Sequence, residues 1–234
     1  MNKIVSMIAV QKPEGGNETL ASTVYQQLRA DILSGKLQPG TKLRLHELKN
    51  HYDAGNSPIR EALNRLLVNG MVVREENRGF HVSPAGIPEL LELIRTRCWL
   101  EEVALRESIK HGDSSWEERI VLAYYWLSRV TRSKDDPAAY TSTEWEDKHR
   151  EFHLSLLSAC NSNILLGFCA QLFELTLRYR NLAAVVEYRE RHELDEHRAL
   201  YGSVLDRDAD EAVKLLVAHY QVTADIVLSS GSLK

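Results

Sequence analysis

The chain has 234 residues, of which 44% are hydrophobic and 26% are charged, and its formal net charge is −4. This length and apolar content predict more than one packed domain. The apolar runs are too short to cross a bilayer, and the N-terminus lacks the apolar stretch of a secretory signal, so we expect neither a membrane span nor export. The three cysteines are irregularly spaced, which excludes a disulfide framework and favours a cytoplasmic location.

The first two predicted elements are amphipathic helices separated by a turn. Apolar residues four positions apart predict a helix that ends at Gly35, and Pro39 and Gly40 then turn the chain. The second helix is short and is predicted to end at residues 53–55. The apolar positions that define these two helices are Val24, Leu28, Ile32, Leu45, Leu48 and Tyr52.

A third helix has a well-marked start. Ser57 is predicted as its N-cap and Pro58 as its first helical residue, where a missing backbone N–H costs nothing. The spacing then places Ser57, Arg60 and Asn64 on an outward face that suits the major groove of DNA. The buried stripe predicted for this helix comprises Ile59, Ala62, Leu63, Leu66 and Leu67.

Two short β-prone runs follow, at residues 72–74 and 80–82. They are joined through Arg78 and Gly79, which predicts a β-hairpin with a cationic tip. Helix-turn-helix patterns also arise in ordinary three-helix packing, so no single element is specific by itself. The ordered combination of three helices and a hairpin is more specific, and it predicts a winged helix-turn-helix that binds double-stranded DNA.

This arrangement resembles the winged-helix domain of the GntR family of bacterial transcriptional regulators. The matching residues are Ile32, Gly35, Leu37, Pro39, Gly40, Leu43, Leu48, Pro58, Arg60, Glu61, Ala62, Leu63, Leu66, Gly70, Arg78 and Gly79. The resemblance implies that Arg60 contacts DNA and that Arg78 and Gly79 form the wing tip. The chain departs from the family at Gly55-Asn56, where a Ser-Arg pair is usual, and at His46, where many members have arginine. The predicted DNA-binding residues are His46, Asn56, Ser57, Arg60, Asn64, Arg78 and Gly79.

The remainder of the chain is predicted to be an antiparallel helical bundle, in which ligand sites lie between facing helices. The helices are expected near residues 88–111, 115–133, 142–160, 163–184, 187–205 and 209–229. The fold is therefore predicted to be mainly α. The predicted divisions are a flexible tail (1–17), a winged helix-turn-helix domain (18–83), a linker (84–88) and a helical domain that binds an effector and a metal (89–230).

The charge distribution agrees with this division. Between Thr19 and Ser83 there are nine lysine and arginine residues against six aspartate and glutamate residues, a net charge of +3, whereas the remainder carries −7. A basic DNA-binding domain joined to an acidic regulatory domain would show this asymmetry, because the acidic part is repelled by phosphates.

Four histidines of the second part are predicted to meet in one pocket. His149 and His153 are four residues apart and share a helix face. His197 and His219 each lie about 12 Å from a helix turn that Asp208 restarts with a capping box, so they should face each other across the hairpin. Neutral imidazoles favour a first-row divalent metal ion, with zinc or nickel expected. The alternative is that these histidines are ordinary surface or core residues that bind no metal, as we assume for His46, His51, His81, His111 and His192.

The second part also resembles the FCD domain, the effector-binding half of the FadR subfamily of GntR regulators, over residues 88–227. The matching motifs are Arg97-x-x-Leu100-Glu101, Phe152-His153, Asn161 to Asn163, Glu196-His197 and His219. The resemblance implies a divalent metal held by three histidines and an Asp or Asn, whose place His149 takes here. It also implies that Arg97 helps to hold a carboxylate effector. Residues 171–180 are similar to carbon-starvation-induced regulators, which respond to small dicarboxylates or hydroxy acids.

The resulting prediction is a homodimeric transcriptional regulator, most simply a repressor of metabolic genes, that a small carboxylate releases from operator DNA. Two alternatives stay open at this point. One is a metalloenzyme, although no HExxH or comparable motif supplies a placed general base. The other is a DNA-binding protein that holds no metal.

Overall fold

A computed structural model describes residues 19–76, 78–130, 143–183 and 191–233. In these ranges the chain forms nine helices and one three-stranded sheet, which confirms the mainly helical fold. The residues group into two compact units, one made of the chain up to Gly86 together with Leu177–Leu182 and the other of the remainder. The tail predicted for residues 1–17 lies outside the described residues.

The first unit is built around three helices, α1 (Leu20–Leu33), α2 (Leu45–Tyr52) and α3 (Asn56–Val68). Thr19 caps α1, because its hydroxyl accepts a hydrogen bond from the backbone N–H of Ser22 at 3.2 Å. The helices bury one apolar stripe each, as the periodicity predicts, but Leu67 is half-buried. The fully buried side chains of α1 and α3 are Val24, Leu28, Ile32, Ile59, Ala62, Leu63 and Leu66.

The start of α3 differs from the prediction. Gly55 is the N-cap, with φ −71° and ψ 173°, and the helix begins at Asn56, so Ser57 caps nothing. The first backbone hydrogen bond of the helix runs from the N–H of Ile59 to the carbonyl of Gly55 at 3.3 Å. Pro58 thus lies in the third helical position, where the N–H groups are still unpaired and its missing donor costs nothing.

Three strands complete this unit, β1 (Lys42–Leu43), β2 (Val72–Glu75) and β3 (Gly79–Val82). They form an antiparallel sheet in the order β1-β3-β2, so the predicted hairpin is confirmed and β3 is central. Sequence analysis missed β1, because a strand of two residues has no readable alternation and depends on its partner strand. Gly79 has a φ of 87°, a conformation that side chains disfavour, which explains a glycine at the end of the tip.

After Gly86, the part of the chain that the structure describes forms six helices. They are α4 (Ile87–His111), α5 (Ser114–Arg129), α6 (Thr143–Leu157), α7 (Asn163–Ala183), α8 (Glu193–Leu205) and α9 (Ala209–Ser229). In the bundle α4 packs on α6 and α9, and α5 packs on α6 and α8. The largest fully buried side chains of this bundle are Trp116, Tyr220, Phe152 and Phe173.

Three predicted helix ends shift. α5 ends at Arg129 because Val130 is extended, and α6 ends at Leu157, where the next residues form tight turns. α8 begins at Glu193 rather than at residue 187, since His192 is its N-cap. The other predicted residues of these ends, 131–133, 142, 184 and 187–190, lie outside the described residues.

The turn between α8 and α9 is held by both backbone and side chains. Asp208 caps α9 by accepting a hydrogen bond from the N–H of Glu211 at 3.0 Å. Half of the predicted capping box is absent, because the Glu211 carboxylate pairs with Lys214 at 2.9 Å instead. Arg207 has a φ of 59°, and its guanidinium donates to the carbonyl of Ile109 at 2.7 Å. The turn is therefore attached to the C-terminal end of α4.

No helix among the described residues is long and apolar enough to span a membrane. The cysteines, Cys98, Cys160 and Cys169, are free thiols.

Candidate DNA-binding surface and metal centre

A groove of about 480 Å³ lies on the first unit, and we call it the basic groove. Six lysine and arginine side chains line it, and none of the described residues that line it is acidic. Its lining residues are Lys42, Leu43, Arg44, Leu45, His46, Lys49, Asn56, Arg60, Arg74, Arg78, Gly79 and Phe80. Such a surface suits a polyanion, because each cation that meets a phosphate releases a condensed counterion.

Three elements position the predicted DNA-binding residues that line the groove. The first turns of α3 contribute Asn56 and Arg60, α2 contributes His46, and the hairpin contributes Arg78 and Gly79. The structure thus brings five of the seven predicted DNA-binding residues to one groove. The N-terminus of α3 also opens here, and its unpaired N–H groups favour anions.

The other two predicted residues, Ser57 and Asn64, are exposed on the outward face of α3 but do not line the groove. Sequence analysis overlooked four cations that do line it, namely Lys42, Arg44, Lys49 and Arg74. Their spacing along the chain carries no common signal. Lys42 stands opposite His81 in the sheet, so only strand pairing reveals where it lies.

The four predicted histidines of the second unit meet, and we call them the His cluster. Each offers a ring nitrogen that lies within 4.8 Å of the nitrogens of the others. α6 supplies His149 and His153, whose Nε2 atoms are 2.9 Å apart, while α8 supplies His197 and α9 supplies His219. All four are buried, with exposed fractions of 1% to 6%. The i, i+4 pair and the hairpin-matched pair therefore converge as predicted.

Hydrogen bonds on the outer side fix the orientation of two of these rings. Nδ1 of His219 lies 2.7 Å from a carboxylate oxygen of Glu196, which Arg191 in turn binds at 2.6 Å. Nδ1 of His153 lies 3.4 Å from the hydroxyl of Tyr220. A ring that donates from Nδ1 carries its lone pair on Nε2, which is the tautomer a metal ligand needs.

Aromatic side chains close the cluster. The ring of Trp145 stacks on His149, with centroids 4.4 Å apart and planes at 26°, and Phe173 contacts the same imidazole at 5.5 Å. The carboxylate of Glu146 lies 3.9 Å from Nδ1 of His149. Water is thus largely displaced from the rings, which strengthens the interactions of any charge placed among them.

The donor set fits a divalent metal ion. Tetrahedral zinc with bonds of about 2.0–2.1 Å holds its nitrogen ligands roughly 3.3 Å apart. Nε2 of His149 and Nε2 of His153 are 2.9 Å apart, and one nitrogen from each histidine lies within 4.8 Å of the others, so small side-chain movements bring them to that spacing. Four imidazoles, two of which have a carboxylate next to an outer nitrogen, make up a ligand set that suits a first-row divalent ion.

Arg97 lies next to the His cluster but already has a partner. Its Nε donates to Glu101 at 2.6 Å, and Nη2 donates to the hydroxyl of Tyr220 at 3.1 Å. Burial opposes the charged guanidinium, but the interactions with Glu101, Tyr220 and Cys169 together outweigh that effect, and the pKa of Arg97 lies above its usual value. For Tyr220, burial disfavours the charged phenolate and raises the pKa of the hydroxyl well above its usual value, so the phenol keeps its proton.

A continuous chain of polar contacts therefore joins Arg97 to the histidines. Tyr220 donates to Glu101 and lies beside His153, so one phenol links the ion pair to the cluster. The predicted importance of Arg97 rested on the resemblance to the FCD domain alone. Tyr220 and Arg191 were not singled out, because an isolated tyrosine or arginine gives no signal until the long-range contacts are known.

Comparisons with known proteins identify both units. The family model described as bacterial regulatory proteins, gntR family, matches residues 20–82, and the model of the FCD domain matches residues 92–222. An uncharacterized HTH-type transcriptional regulator, BphR, of Paraburkholderia xenovorans is 37% identical over 95% of this chain and 91% of its own length. The HTH-type transcriptional repressor GlaR of Escherichia coli is 30% identical over 87% of this chain and 93% of its own length.

Among solved structures, the Escherichia coli protein McbR/YncC superposes with a TM-score of 0.71 at 20% identity, covering 90% of this chain and 98% of its own. That likeness supports the fold. The family models and curated relatives are regulators and not enzymes, so the metalloenzyme alternative is excluded. The chain belongs to the GntR family of bacterial regulatory proteins, in the group with an FCD domain, and is a DNA-binding transcriptional regulator.

Proposed function

We propose that this protein is a metal-dependent repressor that binds operator DNA as a homodimer and is released by a small carboxylate. The observation that carries the proposal is the His cluster, in which four buried imidazoles meet and outer hydrogen bonds orient two of the rings. A repressor name among the relatives, GlaR of Escherichia coli, supports the sign of regulation. Residues 18–83 would bind DNA and residues 89–230 would bind the effector, joined by 84–88, in the cytoplasm.

The basic groove is the proposed DNA contact. Arg60 and Asn56 would enter the major groove from the start of α3, and Arg78 and Gly79 would follow the adjacent backbone from the hairpin. His46, Ser57 and Asn64 complete the proposed contacts, and the lysines around the groove add phosphate contacts. Most of the affinity would be electrostatic and sensitive to salt, while the few side chains on α3 would read bases.

The proposed ligands of the metal are His149, His153, His197 and His219, with zinc or nickel as the ion. A bound divalent ion would supply a positive charge, and an ion that takes more than four ligands, or one bound by three of the histidines, would keep a position for an anion. Imidazole ligands contribute no negative charge of their own, so the site would keep more of the charge of the ion than a site with a carboxylate ligand, and a negatively charged effector is favoured. We propose a dicarboxylate or hydroxy acid for this role, with Arg97 contributing to the positive potential beside it.

Such a ligand regulates DNA binding only if it binds one state of the protein more tightly than the other. The proposal is therefore tested by measuring both metal binding and the response of the protein to carboxylates. The full-length protein is purified, its metal content is measured, and its thermal unfolding is followed with small mono- and dicarboxylates, with and without a chelator. A ligand that binds the native state raises the stability by RT ln(1 + [L]/Kd).

The decisive variant is H153A/H219A, and the matched control is H111A, since His111 lies at the exposed end of α4 away from the cluster. We expect the double variant to lose metal and carboxylate response while it retains operator binding, and the control to keep all three. Native protein that is free of metal and still responds to carboxylate would contradict the proposal. It would favour the alternative of a regulator without metal.

A further inference from the structure

The outer face of α4, on the side opposite the buried stripe, carries a large exposed tryptophan. Trp99 is 61% exposed, and two apolar neighbours on the same face, Leu91 and Val103, are 46% and 52% exposed. Tryptophan is among the residues most enriched at the energetic centres of protein interfaces, whereas single exposed aliphatic residues are common. The clustering of these three around one helix face indicates a surface that is covered in the working protein.

Charged residues surround Trp99 in a regular order. Glu92 lies seven residues before it and Arg95 four before it, while Glu102 lies three after it and Arg106 seven after it. The guanidinium of Arg95 lies 5.4 Å from the centre of the Trp99 ring. Glu102 and Arg106 pair with each other at 3.0 Å, and their side chains are about 40% exposed. An apolar centre bordered by charges is the usual composition of a protein interface.

The order of negative and positive side chains along this face of α4 is complementary to the same face of a second, antiparallel copy. If a second copy of α4 lies antiparallel across Trp99, Glu92 falls opposite Arg106 of the other copy and Arg95 falls opposite Glu102. The first match is in register and the second is displaced by one residue. A parallel placement would instead put each charge opposite an equal charge. Two-fold interfaces require this self-complementarity, because every contact occurs twice.

We infer that the outer face of α4, defined by Leu91, Glu92, Arg95, Trp99, Glu102, Val103 and Arg106, is the surface through which two copies of this chain associate around a two-fold axis at Trp99. The inference rests on the proposed homodimer and adds the residues that form it. Leu91, Trp99 and Val103 supply the apolar centre, and the charges at both sides fix the antiparallel register.

The first test compares W99E with W126E by sedimentation velocity of the full-length protein over a range of concentrations. Trp126 is the matched control, since it is a second exposed tryptophan, 46% exposed, on the different helix α5. We expect wild type and W126E to be dimers, and W99E to dissociate at least a hundredfold more readily, because a carboxylate would replace the apolar centre. Unchanged helical circular dichroism and metal content in W99E would show that the monomer is folded.

The second test examines the register and does not depend on W99E folding. Arg95 and Glu102 are seven residues apart, about 10 Å along one helix, which is too far for a direct pair within a chain. We expect R95E and E102R each to weaken dimerisation about tenfold, and the double variant R95E/E102R to recover most of the loss. Energetic coupling between the two positions would therefore report a contact between chains.

The outcomes separate this inference from the proposed function. A W99E variant that stays dimeric, or an R95E/E102R variant that is weaker than both single variants, would overturn the α4 interface and leave the regulator proposal intact. A wild-type protein that is monomeric at all concentrations, and binds a full operator as a monomer, would overturn the dimer itself. Loss of metal or of operator binding from wild type would contradict the proposed function and not the interface.

Discussion

The basic groove and the His cluster differ in almost every physical respect. The groove lies on the surface, five of its six cations are exposed, and its residues come from α2, the start of α3, the three strands and the hairpin tip. The cluster is buried, its rings are held by packing and by contacts from α8 and α9, and the charged groups around it are paired. Ligand binding in the groove should depend mainly on the density of positive charge, whereas binding in the cluster should depend mainly on the exact position of each ring nitrogen. Substitutions should therefore have graded effects in the first region and abrupt effects in the second.

The largest effect is expected at the buried ion pair. Replacing Arg97 by alanine leaves the Glu101 carboxylate buried without its partner, which should lower the free energy of unfolding by about 3–5 kcal/mol. Chemical denaturation measures the loss. The control is R119A, at an exposed position of α5, where a change within about 0.5 kcal/mol is expected. Equal small losses in both variants would show that the pair is solvated.

A smaller effect is expected at Glu196, which orients His219. The variant E196Q keeps the shape but removes the negative charge next to Nδ1, and metal affinity should fall about 10- to 100-fold. Competition with a chromogenic chelator measures the affinity. Asp195 is the adjacent exposed carboxylate, so D195N is the control. An unchanged affinity in E196Q would contradict a role for Glu196 in orienting the ring.

In the basic groove, the variant R60A should weaken operator binding by about 1–3 kcal/mol if its guanidinium contacts a base. Electrophoretic mobility shift at fixed salt measures the affinity. Arg65 is the control, because it is on the same helix, outside the groove, and lies over the ring of Tyr25 at 4.1 Å. If R65A and R60A lose equal affinity, helix stability rather than a direct contact is responsible.

The smallest effect is expected for a single phosphate contact. The variant K49A should weaken binding similarly for operator and random DNA, and should reduce the slope of log K against log salt by about one. A titration at several salt concentrations measures the slope. If K49A changed the preference between the two DNAs and left the slope unaltered, Lys49 would read bases instead.

Local signals in the sequence predicted one part of the molecule well. The boundaries of α9 match the prediction, because the cap at Asp208 and the periodicity of the following residues lie within the same segment. The four histidines were found for the same reason, since two are one helix turn apart and two are equidistant from one chain reversal. The cap of α3 was assigned wrongly, because Gly55 can end the preceding turn and begin the helix, whereas Ser57 only looks like a capping residue.

Contacts between distant parts of the chain could not be predicted in this way. Tyr220 meets Glu101 across 119 positions of sequence, and β1 forms only because β3 supplies its partner. The periodicity of α9 marks Tyr220 as buried, but it gives no indication of its partner. The residues that orient the rings of the His cluster can therefore be identified only from the fold, whereas the four histidines can be identified from their spacing in the sequence.

The attachment of Arg207 has a mechanical consequence. Its guanidinium ties the turn between α8 and α9 to the carbonyls of Ile109 and Gly112 and to the carboxylate of Glu117. His197 and His219 lie about 12 Å beyond that turn, on the two arms of the hairpin. The turn between α8 and α9 is thus held in place, while the angle between the two helices can change. A small change in the angle between these two helices would displace His197 and His219 more than Arg207.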